Sequence, residues 1–67
     1  MMTVIVNGNE KTVEAGMTLL GLLKELGLEG KVMAAAINME IVKQDQWAQH
    51  KLVDGDKLEL LDFVGGG

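Results

Sequence analysis

The sequence has no cysteine, serine, arginine, tyrosine or proline, and its 67 residues include one tryptophan and one phenylalanine. The absence of cysteine removes disulfides, zinc thiolates and a thiol nucleophile together. Without arginine, the chain has no guanidinium group that could bind a phosphate through two parallel hydrogen bonds. It also contains no apolar run near the roughly 20 residues of a membrane span, and no basic-then-apolar leader. We therefore expect a soluble cytoplasmic protein without membrane contact.

The length allows one domain, which buries only about 60% of its unfolded surface and so has modest stability. Hydrophobic residues make up 48% of the chain, enough for a single core. The net charge of −4, from six lysines against ten acidic residues, argues against nucleic acid as a partner. An acidic body suits docking on a basic protein surface, although the same charge also serves solubility.

The first elements predict a hairpin and a helix. Asn-Gly at 7–8 separates β-branched segments at 3–6 and 10–13, which predicts a tight two-strand turn. The alternation places Val4, Val6 and Val13 inward and Ile5 on the opposite face. A helix is predicted over 19–26 with Thr18 as its N-cap, ending in a Schellman motif at Gly27. Its apolar stripe is formed by Leu19, Leu22, Leu23 and Leu26, with Gly21 on the polar face.

The second half predicts mainly strands. Segments 32–37 and 41–42 are short strands around a turn at 38–40, and 43–51 is a helical turn or loop with Trp47 as a core residue. Asp54-Gly55-Asp56 is a tight turn before a final strand at 57–64. This order is α+β. A parallel first and last strand at the centre of a mixed sheet of four to five strands, with one helix on one face, is the β-grasp (ubiquitin-like) architecture.

Residues for catalysis or metal binding are sparse. His50 is the single histidine and has no recognisable nucleophile to activate beyond three threonines, so we interpret it as a surface residue. Asp54-Gly55-Asp56 is too short for a calcium loop, and the glycines match neither GxGxxG nor GxxxxGK[ST]. We expect no bound cofactor, no metal site and no catalytic residue, so the chain is not predicted to be an enzyme.

The chemistry that remains lies at the C-terminus. We expect a domain at 1–64 followed by a flexible tail of Gly65, Gly66 and Gly67, whose backbone is free and without side chains. A terminal carboxyl group in water ordinarily has a pKa of about 3.3–3.7 and is therefore ionised at neutral pH. The tail is narrow enough to enter a partner's active-site channel. The Gly67 carboxylate would then be a co-substrate that a partner activates by adenylation with ATP.

Residue patterns along the whole chain carry a family resemblance. Ala36-Ile37-Asn38, Ile41-Val42, Gln46-Trp47, Asp54-Gly55-Asp56 and the tail after Phe63-Val64 together resemble the ThiS family of bacterial sulfur carriers in thiamine biosynthesis. The resemblance implies a β-grasp fold and adenylation of Gly67 by a ThiF-type enzyme, which uses ATP and magnesium. It further implies a C-terminal thiocarboxylate loaded from cysteine through a desulfurase or sulfurtransferase, and sulfur delivery to a ThiG-type thiazole synthase.

A docking surface and three rival functions accompany this interpretation. If Leu58 and Leu60 point inward, Leu61 and Phe63 share the outer face, and with Val64 and Ile5 they form a candidate docking patch. The alternative is that a bulge or loop buries Leu61 or Phe63. The rival functions are a small subunit of molybdopterin synthase, a ubiquitin-like modifier that is joined to lysine, and a non-reactive β-grasp binding module.

Overall fold

The computed structural model describes residues 1–62, and the residues from Phe63 onward lie outside the described part. Within residues 1–62, five strands, one α-helix and one 3₁₀ turn follow each other. They are β1 (Met2–Val6), β2 (Asn9–Val13), α1 (Leu19–Glu25), β3 (Val32–Ile37), β4 (Glu40–Val42), the 3₁₀ turn (Gln44–Gln46) and β5 (Lys57–Asp62). The predicted strands and the predicted helix are confirmed, and their ends differ from the prediction by at most one residue where both are described.

The strands form one mixed sheet in the order β2-β1-β5-β3-β4. Strand β5 lies at the centre, parallel to β1 and antiparallel to β3. The two hairpins β1–β2 and β3–β4 therefore flank the last strand of the chain. This is the predicted α+β, β-grasp arrangement, and it places the strand that leads to the C-terminus in the middle of the sheet.

The first hairpin closes with a two-residue turn at Asn7-Gly8, where both φ angles are positive, at 49° and 87°. Positive φ at both central residues defines the type I′ turn, whose twist matches that of the flanking strands. The second hairpin turns at Asn38-Met39 with φ of 51° and 71°. Both hairpins thus begin their turn with an asparagine in the left-handed region.

Helix α1 begins and ends as predicted. The Thr18 side chain accepts a hydrogen bond from the Gly21 N–H at 3.1 Å, which caps the N-terminus. At the other end Gly27 has φ of 74°, and the Leu28 N–H bonds the Leu23 carbonyl at 2.8 Å, the long bond of a Schellman motif. Gly21 differs from the expectation of a polar face: it is half-buried, and a Cβ there would meet Met17 Sδ at 3.0 Å.

The core lies between α1 and the inner face of the sheet. The predicted inward residues of the first hairpin and the leucines of the helix are buried, with Leu26 packed at the margin. Trp47 is buried as predicted, and its indole Nε1 donates to the Val42 carbonyl at 2.8 Å. Met2 and Leu52 also belong to this core, although their sequence positions gave no clear periodic signal.

A β-bulge in β3 adjusts which residues face the core. Val32 pairs with Asp62 and Ala34 pairs with Leu61, so Met33 is the extra residue on the β3 side. Because of this extra residue, Val32 and Ala35 both face the core although they are three positions apart. Ala34 and Ala36 consequently face the opposite side of the sheet, where they are half-buried.

Candidate functional site

The side chains of β5 alternate strictly between the two faces of the sheet. Leu58 and Leu60 are buried, as predicted, whereas Glu59 is exposed. Leu61 is 60% exposed, so an apolar residue faces solvent just before the C-terminal end of the strand. This outcome favours the first of the two expectations for Leu61, because no loop among residues 1–62 covers it and the bulge in β3 leaves it exposed.

Leu61 lies beside a shallow apolar groove on the outer face of the sheet. The groove has a volume of about 290 Å³ and runs across β5, β3 and β4. Ala34 is the register partner of Leu61, and Ile41 is that of Ala36 on the next strand. Ile41 is 73% exposed, so leucine and isoleucine flank a floor of alanines. We call the surface formed by Ala34, Ala36, Ile41 and Leu61 the outer groove.

The other predicted docking residues do not all join this groove. Ile5 lies on the same face but pairs with Lys57, four positions before Leu61, which is about 13 Å along the strand. The structure therefore does not bring Ile5 beside Leu61. Phe63, Val64, Gly65, Gly66 and Gly67 lie outside the described residues, and their role remains a prediction.

The Asp54-Gly55-Asp56 turn has a structural role that the sequence only partly indicated. Gly55 has φ of 88°, as a tight turn needs, and the exposed Asp54 carboxylate accepts the Thr3 N–H at 2.8 Å. Asp56 is only 5% exposed. Its carboxylate accepts hydrogen bonds from Asn38 Nδ2 at 3.0 Å and from the Val53 N–H at 2.8 Å. These contacts fix the start of β5.

A second hollow, of about 490 Å³, lies between the β3–β4 hairpin and the segment that follows it. Its lining mixes lysine, glutamate and amide side chains and includes His50. It borders Asp56 at the start of β5, whereas the outer groove borders Leu61 near the end of that strand. Of these two hollows, the outer groove is thus the one closer to the end of β5.

Neither a metal cluster nor a membrane-spanning helix is found within residues 1–62. This part of the chain holds no group of three or more His, Cys, Asp or Glu side chains placed to bind a metal ion. None of its helices is long and apolar enough to cross a bilayer. Within the described residues, the surface feature nearest the C-terminal end of the sheet is therefore an apolar groove.

A central last strand parallel to the first, with one helix across the sheet, defines the class of β-grasp, ubiquitin-like proteins. The ThiS family model matches residues 4–67, and the chain belongs to the ThiS family. It is 38% identical over 66 residues to the sulfur carrier protein ThiS of Escherichia coli K12, covering 98% of this chain and 100% of that protein.

Two further relatives extend the comparison. The crystal structure of the thiamine biosynthesis protein ThiS from Geobacter metallireducens superposes with a TM-score of 0.81 at 30% identity, covering 98% of this chain and all of that one. The chain is also 44% identical over 66 residues to a thiazole synthase of Paramagnetospirillum magneticum. That match covers 98% of this chain but only 20% of the synthase, so the chain spans about a fifth of that relative.

Sequence reasoning missed three of the four residues of the outer groove. Ala34 and Ala36 belong to an alanine run with no visible alternation, and Ile41 sits in a three-residue strand. The signal that could have found them is the register: once β3 pairs antiparallel with β5, the residues opposite Glu59 and Leu61 must share their face. The sequence alone does not fix that register, because the bulge at Met33 shifts it.

Proposed function

We propose that this chain is a sulfur carrier of thiazole formation in thiamine biosynthesis, and that the Gly67 carboxylate is the group that carries the sulfur. Membership of the ThiS family is the observation on which this proposal rests. Full-length similarity to a named sulfur carrier supports the same role. The chain itself acts as a co-substrate and not as an enzyme.

The carrier chemistry needs a partner because a carboxylate is a poor acyl donor. A Gly67 oxygen attacks the α-phosphorus of ATP, the bond to the β-phosphate breaks, and pyrophosphate leaves. The partner's magnesium and cationic groups stabilise the charge that develops on the phosphates. Hydrosulfide that attacks the activated acyl carbon displaces AMP and gives the thiocarboxylate directly. The terminal sulfur of a donor persulfide also displaces AMP but gives an acyl disulfide, from which a thiol releases the thiocarboxylate as a new disulfide forms. An amine in place of the sulfur donor would give an amide, which is the chemistry of a protein modifier.

The outer groove is the docking surface in this proposal. Exposed apolar side chains of Leu61 and Ile41 flank small alanines, so a partner's side chain can fill the groove and exclude water. Binding must offset the ordering of Gly65, Gly66 and Gly67 in a channel, which costs about 3–6 kcal/mol at 1–2 kcal/mol per residue. From the sequence, Phe63 and Val64 are predicted to belong to the same docking surface.

The partners follow from the chemistry and from the relatives. A ThiF-type enzyme adenylates Gly67, and a cysteine desulfurase or sulfurtransferase supplies the sulfur. The similarity of this chain to a fifth of a thiazole synthase supports a ThiG-type synthase as the acceptor. Carrier and acceptor sequences that occur in one polypeptide are held close together, which raises their effective concentration.

The proposal is tested by intact-mass measurement after coexpression with a ThiF-type enzyme and a sulfur donor. We expect the mass gain of one oxygen replaced by sulfur, and the loss of that gain when ATP or the donor is omitted in a purified reaction. Conjugates of higher mass would instead indicate a modifier. An unchanged mass with every activating enzyme tested would contradict the carrier role.

A further inference from the structure

Two asparagines contact β5 from its two sides, Asn7 from the side of β1 and Asn38 from the side of β3. Asn7 follows β1 and Asn38 follows β3, with φ of 49° and 51° in the left-handed region. Each donates its backbone N–H to a carbonyl of β5, Asn7 to Leu58 at 2.9 Å and Asn38 to Lys57 at 2.8 Å. The same turn geometry therefore places an asparagine side chain on each side of the strand, that of Asn38 at Lys57 and that of Asn7 three positions further on, at Leu60.

The Asn7 side chain pairs with the backbone of Leu60. Its Oδ1 accepts the Leu60 N–H at 2.8 Å, and its Nδ2 donates to the Leu60 carbonyl at 3.3 Å. A neighbouring strand would satisfy the same two groups with its own peptide groups. Strand β1 pairs with β5 only through Ile5 with Lys57 and Val6 with Leu58. The side-chain amide of Asn7 thus takes the place that a further residue of β1 would have in pairing with β5.

We propose that Asn7 is a positioning residue, which holds the end of β5 so that the C-terminal tail enters the active site of the activating partner in a productive direction. This inference rests on the proposed function. Leu60 lies two positions before Asp62, where β5 ends, and Gly67 follows along the same chain. Strand β3 pairs with β5 as far as Asp62, so without the Asn7 bonds this end of β5 is held from the β3 side alone and opens more readily.

The expected consequence for adenylation lies in the chemical step and not in docking. Docking depends on the outer groove, to which Asn7 does not belong. The rate of the chemical step depends on where the carboxylate sits, and a displacement of about 1 Å can lower such a rate by a factor of up to about 100. Loss of the Asn7 amide should therefore lower kcat of adenylation more than it raises KM.

Asn7→Gly is the informative variant because glycine adopts a φ of 49° without strain, so that only the amide is removed. Asn38→Gly is the matched control at the same turn position with nearly the same φ. The Asn38 side chain accepts the Lys57 N–H at 3.1 Å and donates to Asp56, both at the start of β5. Lys57 is five positions, about 16 Å, from Asp62.

Two readouts test the proposal in the full chain. Amide hydrogen exchange of Leu60, measured by NMR relative to β1 amides of the same variant, should accelerate about tenfold in Asn7→Gly, which corresponds to about 1.4 kcal/mol. Pyrophosphate exchange with ATP and a ThiF-type enzyme should show kcat lowered about tenfold, with a smaller change in KM. Asn38→Gly should melt at a lower temperature than Asn7→Gly and keep the wild-type kcat.

A second variant tests the two hydrogen bonds between the Asn7 side chain and Leu60 separately. Asn7→Asp keeps an oxygen for the Leu60 N–H but places another oxygen against the Leu60 carbonyl, so kcat should fall here too. The positioning role is overturned if Asn7→Gly leaves Leu60 exchange or kcat at the wild-type value, or if Asn38→Gly lowers kcat equally. If the wild-type chain is not adenylated, the proposed function itself is contradicted. If the wild-type chain is adenylated at a normal rate, a wrong prediction for the variants contradicts only the positioning role of Asn7.

Discussion

Asp56 is a buried acidic residue whose side chain is held by hydrogen bonds. Its carboxylate is 5% exposed, and it accepts hydrogen bonds from Asn38 Nδ2 and from the Val53 N–H. Buried charges are tolerated when hydrogen bonds replace the lost water, as these two donors do. The Asn38 side chain also accepts the Lys57 N–H, so one amide links the β3–β4 turn to the start of the central strand.

Met39 occupies a left-handed backbone conformation that glycine adopts more readily. Its φ is 71°, at the second position of a type I′ turn where glycine is strongly preferred, and its side chain is 91% exposed. The left-handed conformation costs a residue with a Cβ about 1–2 kcal/mol. We expect Met39→Gly to raise the free energy of unfolding by about 1 kcal/mol, and thermal denaturation should show a melting temperature higher by about 4–8 °C.

The matched control for that prediction is Met39→Ala, which removes the same exposed side chain but keeps a Cβ. If relief of backbone strain is the cause, the alanine variant should melt within a few degrees of the wild type. Equal stabilisation by alanine and glycine would show instead that exposure of the methionine side chain is what costs stability.

Among the elements, β5 combines a structural face with a functional one. Leu60 is buried in the core, whereas Leu61 faces the outer groove. We expect Leu61→Asp to weaken binding to a ThiF-type enzyme about tenfold or more, with the fold retained, because truncating a central apolar contact typically costs over 1 kcal/mol. Isothermal titration calorimetry and thermal denaturation together measure both quantities.

Leu60→Asp is the control for the same substitution on the opposite face. An unpaired carboxylate in the core should cost about 3 kcal/mol or more, which a domain of this size can hardly tolerate. The alternation of β5 therefore predicts one folded variant and one unfolded variant from adjacent positions. Loss of the fold in Leu61→Asp would contradict the assignment of Leu61 to a docking surface.

The elements that the sequence predicted best carry strong local signals. Asn7-Gly8 in a hairpin, Thr18 as the cap of α1 and Gly27 after the helix each depend on neighbours only a few residues away. The leucine stripe of α1 has the helical period and is buried as expected. Local chemistry was thus sufficient for the boundaries of these elements, and their order pointed to the β-grasp arrangement.

Features that depend on distant residues could not be predicted in this way. The bulge at Met33 becomes visible only when β3 is paired with β5, and it decides which alanines line the outer groove. Likewise, Asn7 was interpreted as a turn residue, and its contact with Leu60 spans more than fifty positions. Gly21 is a different case, because its close neighbour Met17 Sδ lies only four positions away, on the segment before the helix.

At the scale of the whole molecule, the proposed function divides the chain into a body that docks and a tail that reacts. The body supplies binding free energy through the outer groove and long-range attraction through its net charge of −4. Gly67 supplies the carboxylate. Binding and chemistry should therefore be separable, because a variant that lacks the reacting residue retains the docking surface.

Deletion of Gly67 tests this division. We expect the shortened chain to form no thiocarboxylate, because its last carboxylate sits one residue, about 3.3–3.6 Å, short of the reacting position. It should nevertheless compete with the full-length chain for a ThiF-type enzyme, with an inhibition constant close to the KM of the full-length chain. Combining the deletion with Leu61→Asp removes the docking contact and should abolish the competition. A shortened chain that does not compete would place the binding free energy in the tail and not in the outer groove.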